Sequence, residues 1–114
     1  MKKFLVTYHA PESAREQTAN ATPEQQAAGM QMWMQWAQRT GDSLLDLGSP
    51  LMGAQQINSD GATADSSRQM GGYSIVQAEN MEEAIALFEG HPHTSGWNKE
   101  ATIELHEMMP VPGM

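Results

Sequence analysis

Two of the four histidines in this 114-residue chain stand in a single turn, His91-Pro92-His93, directly after Gly90. An imidazole has a reference pKa of about 6.5, so a neutral histidine held in a cleft can act as a general base near pH 7. Pro92 restricts the backbone of this turn and lowers the entropy lost on ordering it. The turn supports a second reading: His91 caps the end of the preceding helix, where an imidazole meets the terminal carbonyls and the negative end of the dipole. As a metal site, His-x-His supplies two ligands, and His9, His106, Asp46 or a glutamate would have to converge from elsewhere to complete a set. Nothing local brings them together, so neither a metal nor a cofactor is expected. His9 follows Tyr8 at the end of an apolar run, either facing a cleft or satisfied at an interface. Asp46 interrupts the apolar stretch LLDLG, where a carboxylate must face water or be held by donors; it is the expected acid partner. His91, His9 and Asp46 are thus the candidate proton-transfer residues, with His93, Trp33 and Tyr8 as candidate ligand contacts.

Trp33 and Trp36, with Met30, Met32 and Met34, concentrate aromatic and thioether side chains on one helix. Such a cluster either builds core or accepts a flat apolar ligand between helix and sheet. Trp97, beyond the histidine turn, either closes that pocket or covers an edge. The formal net charge of −8 disfavours phosphate backbones and anionic lipid, which are held by clustered Lys and Arg, so no nucleic-acid or membrane partner is expected. The chain contains no Cys, which removes disulfides, thiolate nucleophiles and cysteine metal sites. No signal segment is evident at the N-terminus, and the expected compartment is the cytoplasm.

These residues must be positioned by a single domain spanning residues 1–114, since single domains commonly hold about 100–150 residues. Phe4, Val6 and Tyr8 alternate with Leu5, Thr7 and His9, which predicts a first strand ending before Pro11. The polar stretch PESAREQTANA has no apolar periodicity and is expected to be a loop. Thr22-Pro23-Glu24-Gln25 combines a Thr cap, Pro at the first helical position and Gln at the capping-box position. The helix it starts carries Met30, Trp33, Met34 and Ala37 as its apolar stripe and ends at Gly41. SLLDLGSPL reads as a second strand, residues 58–68 as a mobile loop or hairpin tip, and GGYSIVQAE as a third strand. Asn80 caps a second helix with Met81, Ala84, Ile85 and Phe88 on one face, and ATIELHEM is the last strand, closed off by Pro110 and Pro112.

The order β-α-β-β-α-β is the ferredoxin-like α+β pattern, a four-stranded antiparallel sheet with two helices on one face. Its other face needs a cover, and at 39% hydrophobic residues the core is lean. A homodimer with sheets face to face, a dimeric α+β barrel, is the expected solution.

The run GGYSIVQAENMEEAIALFEGHPH, continued by IELHEMMPVPG, resembles the C-terminal half of YCII-related proteins: a G-Y-x-I strand, an acid-rich helix start, a proline turn and an I-E-L strand. QWAQRTGDSLLDLGSPL is similar to the helix and second strand of the same group. The resemblance implies a dimeric α+β barrel. It also implies, for some members, dehydrochlorinase or isomerase-type chemistry on small ring compounds with a His from the first helix and an Asp in a D-P turn after the second. In this chain His91 stands where that Asp would be, and the first helix has no His, so the pair does not carry over. Two function classes follow. One is a small enzyme moving a proton on a small cyclic molecule, and the other a non-catalytic dimeric small-molecule-binding or accessory protein. Cofactor-free oxygenation of an electron-rich ring is a third option that no residue marks.

Overall fold

The computed structural model describes residues 1–113, apart from the side chain of Arg15. Strand β1 (Lys2–His9) is followed by helices α1 (Glu12–Ala19) and α2 (Pro23–Thr40). Then come β2 (Leu44–Pro50), the short strands β3 (Gln55–Ile57) and β4 (Thr63–Asp65), β5 (Met70–Ala78), helix α3 (Met81–Ala86) and β6 (Thr102–Glu107). The main sheet runs β2-β5-β1-β6 with every neighbouring pair antiparallel. This is the ferredoxin-like α+β arrangement, with the β3–β4 hairpin and α1 added to it.

Strand alternation divides the sheet into two faces. Phe4, Val6 and Tyr8 of β1 and Ser74, Val76 and Ala78 of β5 are buried under the helices. There they meet Trp36 of α2 and Ala84 and Phe88 of the α3 segment in one apolar cluster, flanked by half-buried Ile103 and Leu105 of β6. The opposite face carries Leu5, Thr7, Tyr73, Ile75, Glu104 and His106, with Thr7 opposite both Tyr73 and Glu104.

Helix α2 starts as its sequence dictates. Gln25 N–H donates to Thr22 Oγ1 at 3.1 Å and Thr22 N–H donates to Gln25 Oε1 at 2.9 Å, a reciprocal capping box. Its apolar stripe is shorter than expected. Trp36 is buried, but Met30 is 58% and Met34 45% exposed, because the helix meets the sheet only along its C-terminal half. Helix α3 is capped by Asn80, whose Oδ1 accepts from Glu83 N–H, while Glu83 Oε2 accepts from Glu79 N–H. Of its expected inner face, Ala84 and Phe88 are buried, whereas Met81 and Ile85 remain 38% and 56% exposed.

Two expectations need correction. Residues 12–19 form a helix rather than a loop. A segment rich in Ala, Glu and Gln has good intrinsic helix propensity, and among its described side chains only Ala14 is fully buried to seat it. The segment 58–68 contains a strand, β4, paired with β3 through Gln55–Asp65, Gln56–Ala64 and Ile57–Thr63. Its tip is a turn closed by Gly61 N–H to Asn58 O at 2.9 Å, with Gly61 at a positive φ of 90°.

Candidate functional site

The turn after α3 is built by one glycine and one neighbouring helix. Gly90 takes a left-handed φ of 72° and reverses the chain, so that His91 N–H returns to Phe88 O at 3.0 Å. The last carbonyls of the α3 segment are taken from outside by α2. Trp36 Nε1–H donates to Leu87 O at 2.8 Å, and Arg39 Nη2 donates to Glu89 O at 3.0 Å. His91 therefore does not cap α3, contrary to the structural reading of the sequence; its imidazole is free to turn inward.

The imidazole instead caps the short 3-10 turn Pro92–Thr94. His93 N–H donates to His91 Nδ1 at 3.0 Å. An atom that accepts a backbone N–H carries no proton, so the proton of the neutral ring sits on Nε2. That Nε2 is buried and has no hydrogen-bond partner among the described residues. It lies in a box of four aromatic rings, with centroids 4.5 Å away for Trp33 and Trp36, 5.2 Å for Tyr8 and 5.5 Å for Phe88. His91 is completely buried, and burial, reinforced by His93 and Arg39, pushes its pKa down to about 3. At neutral pH the ring is an uncharged N–H donor. The general-base role expected for it does not fit, because both nitrogens are committed, one by the His93 N–H and the other by its own proton.

Tyr8 and His93 complete the inner wall. Ser74 Oγ–H donates to Leu47 O at 2.6 Å, so the Tyr8 hydroxyl, 2.9 Å from Ser74 Oγ, is the donor in that pair. Burial pushes the Tyr8 pKa up to about 12, with the Ser74 bond opposing the rise. His93 Nε2 donates to His9 O at 2.9 Å, and its ring stands 5.3 Å from Tyr8 and 5.7 Å from Trp97. Burial lowers its pKa, against the pull of its bonds to the backbone of His9 and Thr102. Trp97 Nε1–H in turn donates to His93 O, which ties the segment beyond the turn to the same site.

His91, His93, Tyr8 and Trp33 thus come together on the helix side of the sheet. The side chains of His9 and Asp46 do not join them. His9 follows a bulge at Tyr8/His9 and turns its ring to the open face of the sheet. There Nδ1–H donates to Arg68 O at 3.1 Å and Nε2 lies 2.8 Å from Thr7 Oγ1, with Glu104 Oε1 at 3.8 Å. Only the His9 carbonyl reaches the His93 side. Asp46 spends its carboxylate on Gly48 N–H at 2.8 Å and the Tyr73 hydroxyl at 3.4 Å. These bonds sit in a distorted stretch of β2 whose pairing with β5 slips on both sides of Asp46. The acid partnership expected between Asp46 and His91 is absent, since Asp46 faces the open side and β2 forms the edge of the sheet opposite to β6. Among the described residues, no group of three or more His, Cys, Asp or Glu is placed to hold a metal ion. No described helix is long and apolar enough to cross a membrane.

Sequence reasoning did not single out Ser74 or Arg39. Alternation along GGYSIVQA already places Ser74 on the face of Val76 and Ala78, which signals a buried hydroxyl in need of a partner. Arg39 in the last turn of α2 carried no comparable signal.

A search of curated proteins finds no match to this chain. Among solved structures, it is similar to the 5-chloro-2-hydroxyhydroquinone dehydrochlorinase of Burkholderia phenoliruptrix in complex with 2,5-dihydroxybenzoquinone, at 20% identity over 91% of each chain with a TM-score of 0.46. The model of the YCII-related domain matches residues 1–105. With that match covering nearly the whole sheet, both packed helices and the histidine turn, the chain belongs to the YCII-related domain family.

Proposed function

We propose that the protein is a small enzyme that moves a proton on a small cyclic organic molecule, in the manner of an isomerase or lyase, with His91 as its neutral electrophile. The observation that carries this reading is the unpartnered Nε2–H of His91 inside an aromatic box. A buried donor left unpaired costs about 1–3 kcal/mol, and a ligand oxygen in reach of it recovers that energy. A neutral imidazole donor favours charge developing on an oxygen, as on the carbonyl oxygen of a ring that is becoming an enolate. Family membership supports the reading, since ring chemistry is what the resemblance implies.

Each residue has a part. Trp33, half-buried on α2 between the box and solvent, presents the ring surface that a flat substrate would stack on or displace. Tyr8, held protonated, lines the inner end with its ring. His93 supplies the backbone N–H that keeps the His91 proton on Nε2, and its own ring is anchored to β1. The carbon-bound proton passes to solvent water and water returns a proton to another carbon of the ring, which balances the isomerisation. His9 and Asp46, proposed from sequence as proton-transfer residues, would act only at a separate site on the open face.

The complete burial of His91 favours a second reading, a non-catalytic dimeric small-molecule-binding protein in which the same box binds without turnover. In either case the working form is proposed to be a homodimer, with the uncovered faces of two sheets meeting as a dimeric α+β barrel. Leu5, Tyr73 and Ile75 support this, because they stand half-buried on a face that no helix covers.

The test is a titration of small ring ketones and hydroxyarenes followed by tryptophan fluorescence, with NMR detection of solvent deuterium entering the ring. Binding with enzyme-dependent deuterium incorporation is expected. His91→Phe, which keeps the ring and deletes the donor, should weaken binding by about 5- to 150-fold, the equivalent of the unpaired-donor cost. Binding without incorporation selects the second reading, and a titration with no response from any ring compound rejects both.

A further inference from the structure

The two edges of the sheet differ in a way that the site does not explain. At one edge, β2 is guarded: its pairing slips at two places, Pro50 ends it, and Gly48 sits at a left-handed φ of 82°. At the other edge, β6 pairs with β1 without a bulge from Thr102 to Glu107 and contains no proline. It is an open edge of a kind that soluble proteins normally blunt or cover.

We propose that β6 is a self-pairing edge, joining two copies of this chain into one continuous antiparallel sheet centred on Leu105. This interface is separate from the face-to-face dimer and goes beyond the proposed activity.

The register follows from backbone parity. Met108 N–H donates to Lys3 O at 2.8 Å, one step beyond the pairing of Glu107 with Phe4. In an antiparallel ladder, bonded and non-bonded pairs alternate, so Thr102, Glu104 and His106 turn their main-chain groups toward β1. Ile103, Leu105 and Glu107 turn theirs outward. Pairing two such strands about Leu105 sets Leu105 against its counterpart and Ile103 against Glu107 of the second copy, using all the outward groups in about six main-chain hydrogen bonds. The same register sets Glu104 opposite His106 of the second copy, and does so twice. Shifting the centre to Glu104 would oppose two carboxylates, and shifting it to His106 would oppose two imidazoles, so charge selects the Leu105 register.

The helix face adds apolar area to the same contact. An open groove of about 610 Å³ runs along this edge, lined by Met81, Ile85, Phe88, Ile103 and Leu105. Met81 and Ile85 are 38% and 56% exposed. Pairing about Leu105 brings the grooves of two copies together across the Leu105 pair and removes both side chains from water.

The chain has no cysteine, which permits a direct test by disulfide trapping. Glu104 and His106 of the second copy would form a non-bonded pair with Cα atoms about 4.5 Å apart, within disulfide range. A Glu104→Cys chain mixed with a His106→Cys chain should cross-link on mild oxidation, whereas neither chain should cross-link alone. Sedimentation gives an independent reading. Glu107→Pro removes an outward N–H from a surface position and should halve the sedimenting mass with the far-UV CD unchanged. His106→Glu should weaken association by about tenfold or more through like-charge opposition, and adding Glu104→His should restore it. Absence of cross-linking in the mixture, or equal cross-linking of either chain alone, overturns the proposal, as does a mass unaffected by Glu107→Pro. A mass lost with Ile75→Glu and kept with Glu107→Pro assigns association to the sheet face alone and equally overturns it.

Discussion

The backbone N–H of His93 donates to Nδ1 of His91 at 3.0 Å, so a residue two positions along the chain decides which nitrogen of a buried imidazole holds the proton. The same bond closes the 3-10 turn and leaves Nε2–H as an unpartnered donor among four aromatic rings. Local chain geometry and site electrostatics are therefore one interaction. Disturbing the turn would change the tautomer as well as the shape.

Acid stability should report this burial. The folded pKa of His91 is pushed down to about 3 from an ordinary value near 6.5, so below pH 6.5 the unfolded chain takes up a proton that the folded chain refuses. The stability associated with the neutral ring is complete above pH 6.5 and is lost as pH falls from there toward 3, at a limiting slope of about 1.4 kcal/mol per pH unit. Urea denaturation between pH 7 and pH 5, before most carboxylates titrate, should show a decline that His91→Phe flattens. Equal slopes in both proteins would contradict it.

Alkaline stability should show the mirror-image effect through Tyr8. Its folded pKa is raised to about 12, so above pH 10 the unfolded chain ionises while the folded chain does not. Stability should fall as pH rises from 10 toward 12, and Tyr8→Phe should reduce that fall in a denaturation series. A Tyr8→Phe protein with an unaltered alkaline limb would contradict the assignment.

Trp36 joins α2 to the end of α3 through one hydrogen bond as well as through packing. Trp36→Phe keeps an aromatic ring but leaves Leu87 O without its donor, and should cost about 1–3 kcal/mol in addition to the lost ring volume. Arg39→Ala, which removes a bond at the exposed end of the same segment, should cost less than about 1 kcal/mol. A reversal of this ranking in equilibrium unfolding would refute the division of roles.

Gly48 is required by space and by conformation. A Cβ at this position would lie 1.7 Å from Tyr73 O, and the residue already has a left-handed φ of 82°. Gly48→Ala should cost more than the 1–3 kcal/mol or so typical of backbone strain alone, because β2 must also separate from β5. Amide exchange in that variant should rise first in β2; a stability near wild type would refute the close approach.

The proposed sheet-face dimer rests on an uncovered face and on an extended shape. The radius of gyration is 15.6 Å, against about 13 Å for a compact chain of this length. Sedimentation at micromolar concentration should give at least twice the chain mass, and Ile75→Glu should lower it. A monomer in wild type would remove the face-to-face dimer. Amide exchange in residues 58–68 should be the fastest inside the chain, since the β3–β4 hairpin is exposed throughout.

Much of this fold is legible along the chain because its signals are local. Alternation in FLVTYH and GYSIVQA states which side chains are buried, and Thr22-Pro23-Glu24-Gln25 and Asn80 mark where two helices start. Those patterns depend on bonds within a few residues, so neighbours in sequence suffice to determine them. Helix α1 escaped because, among its described side chains, only the small Ala14 is fully buried, and one buried alanine leaves no periodicity. The hairpin between β2 and β5 was legible only as a loop or hairpin tip at residues 58–68, and its strands escaped because they bury nothing.

By itself, the sequence determined the order of the four strands of the main sheet and the two helices packed on it, the caps, and the restricted backbone of the His91-Pro92-His93 turn. Only the tertiary structure decided where each imidazole points. Whether His91 caps a helix or enters an aromatic box depends on Trp36 and Arg39 reaching the α3 carbonyls first, across about fifty residues of chain. Whether His9 and His91 share a cleft depends on strand parity and on one bulge at Tyr8/His9, which sends the His9 ring to one face of the sheet and its carbonyl to the partner on the other. Burial, tautomer and pKa follow from those long-range contacts, because desolvation is set by what surrounds a group in space and not by what precedes it in the chain.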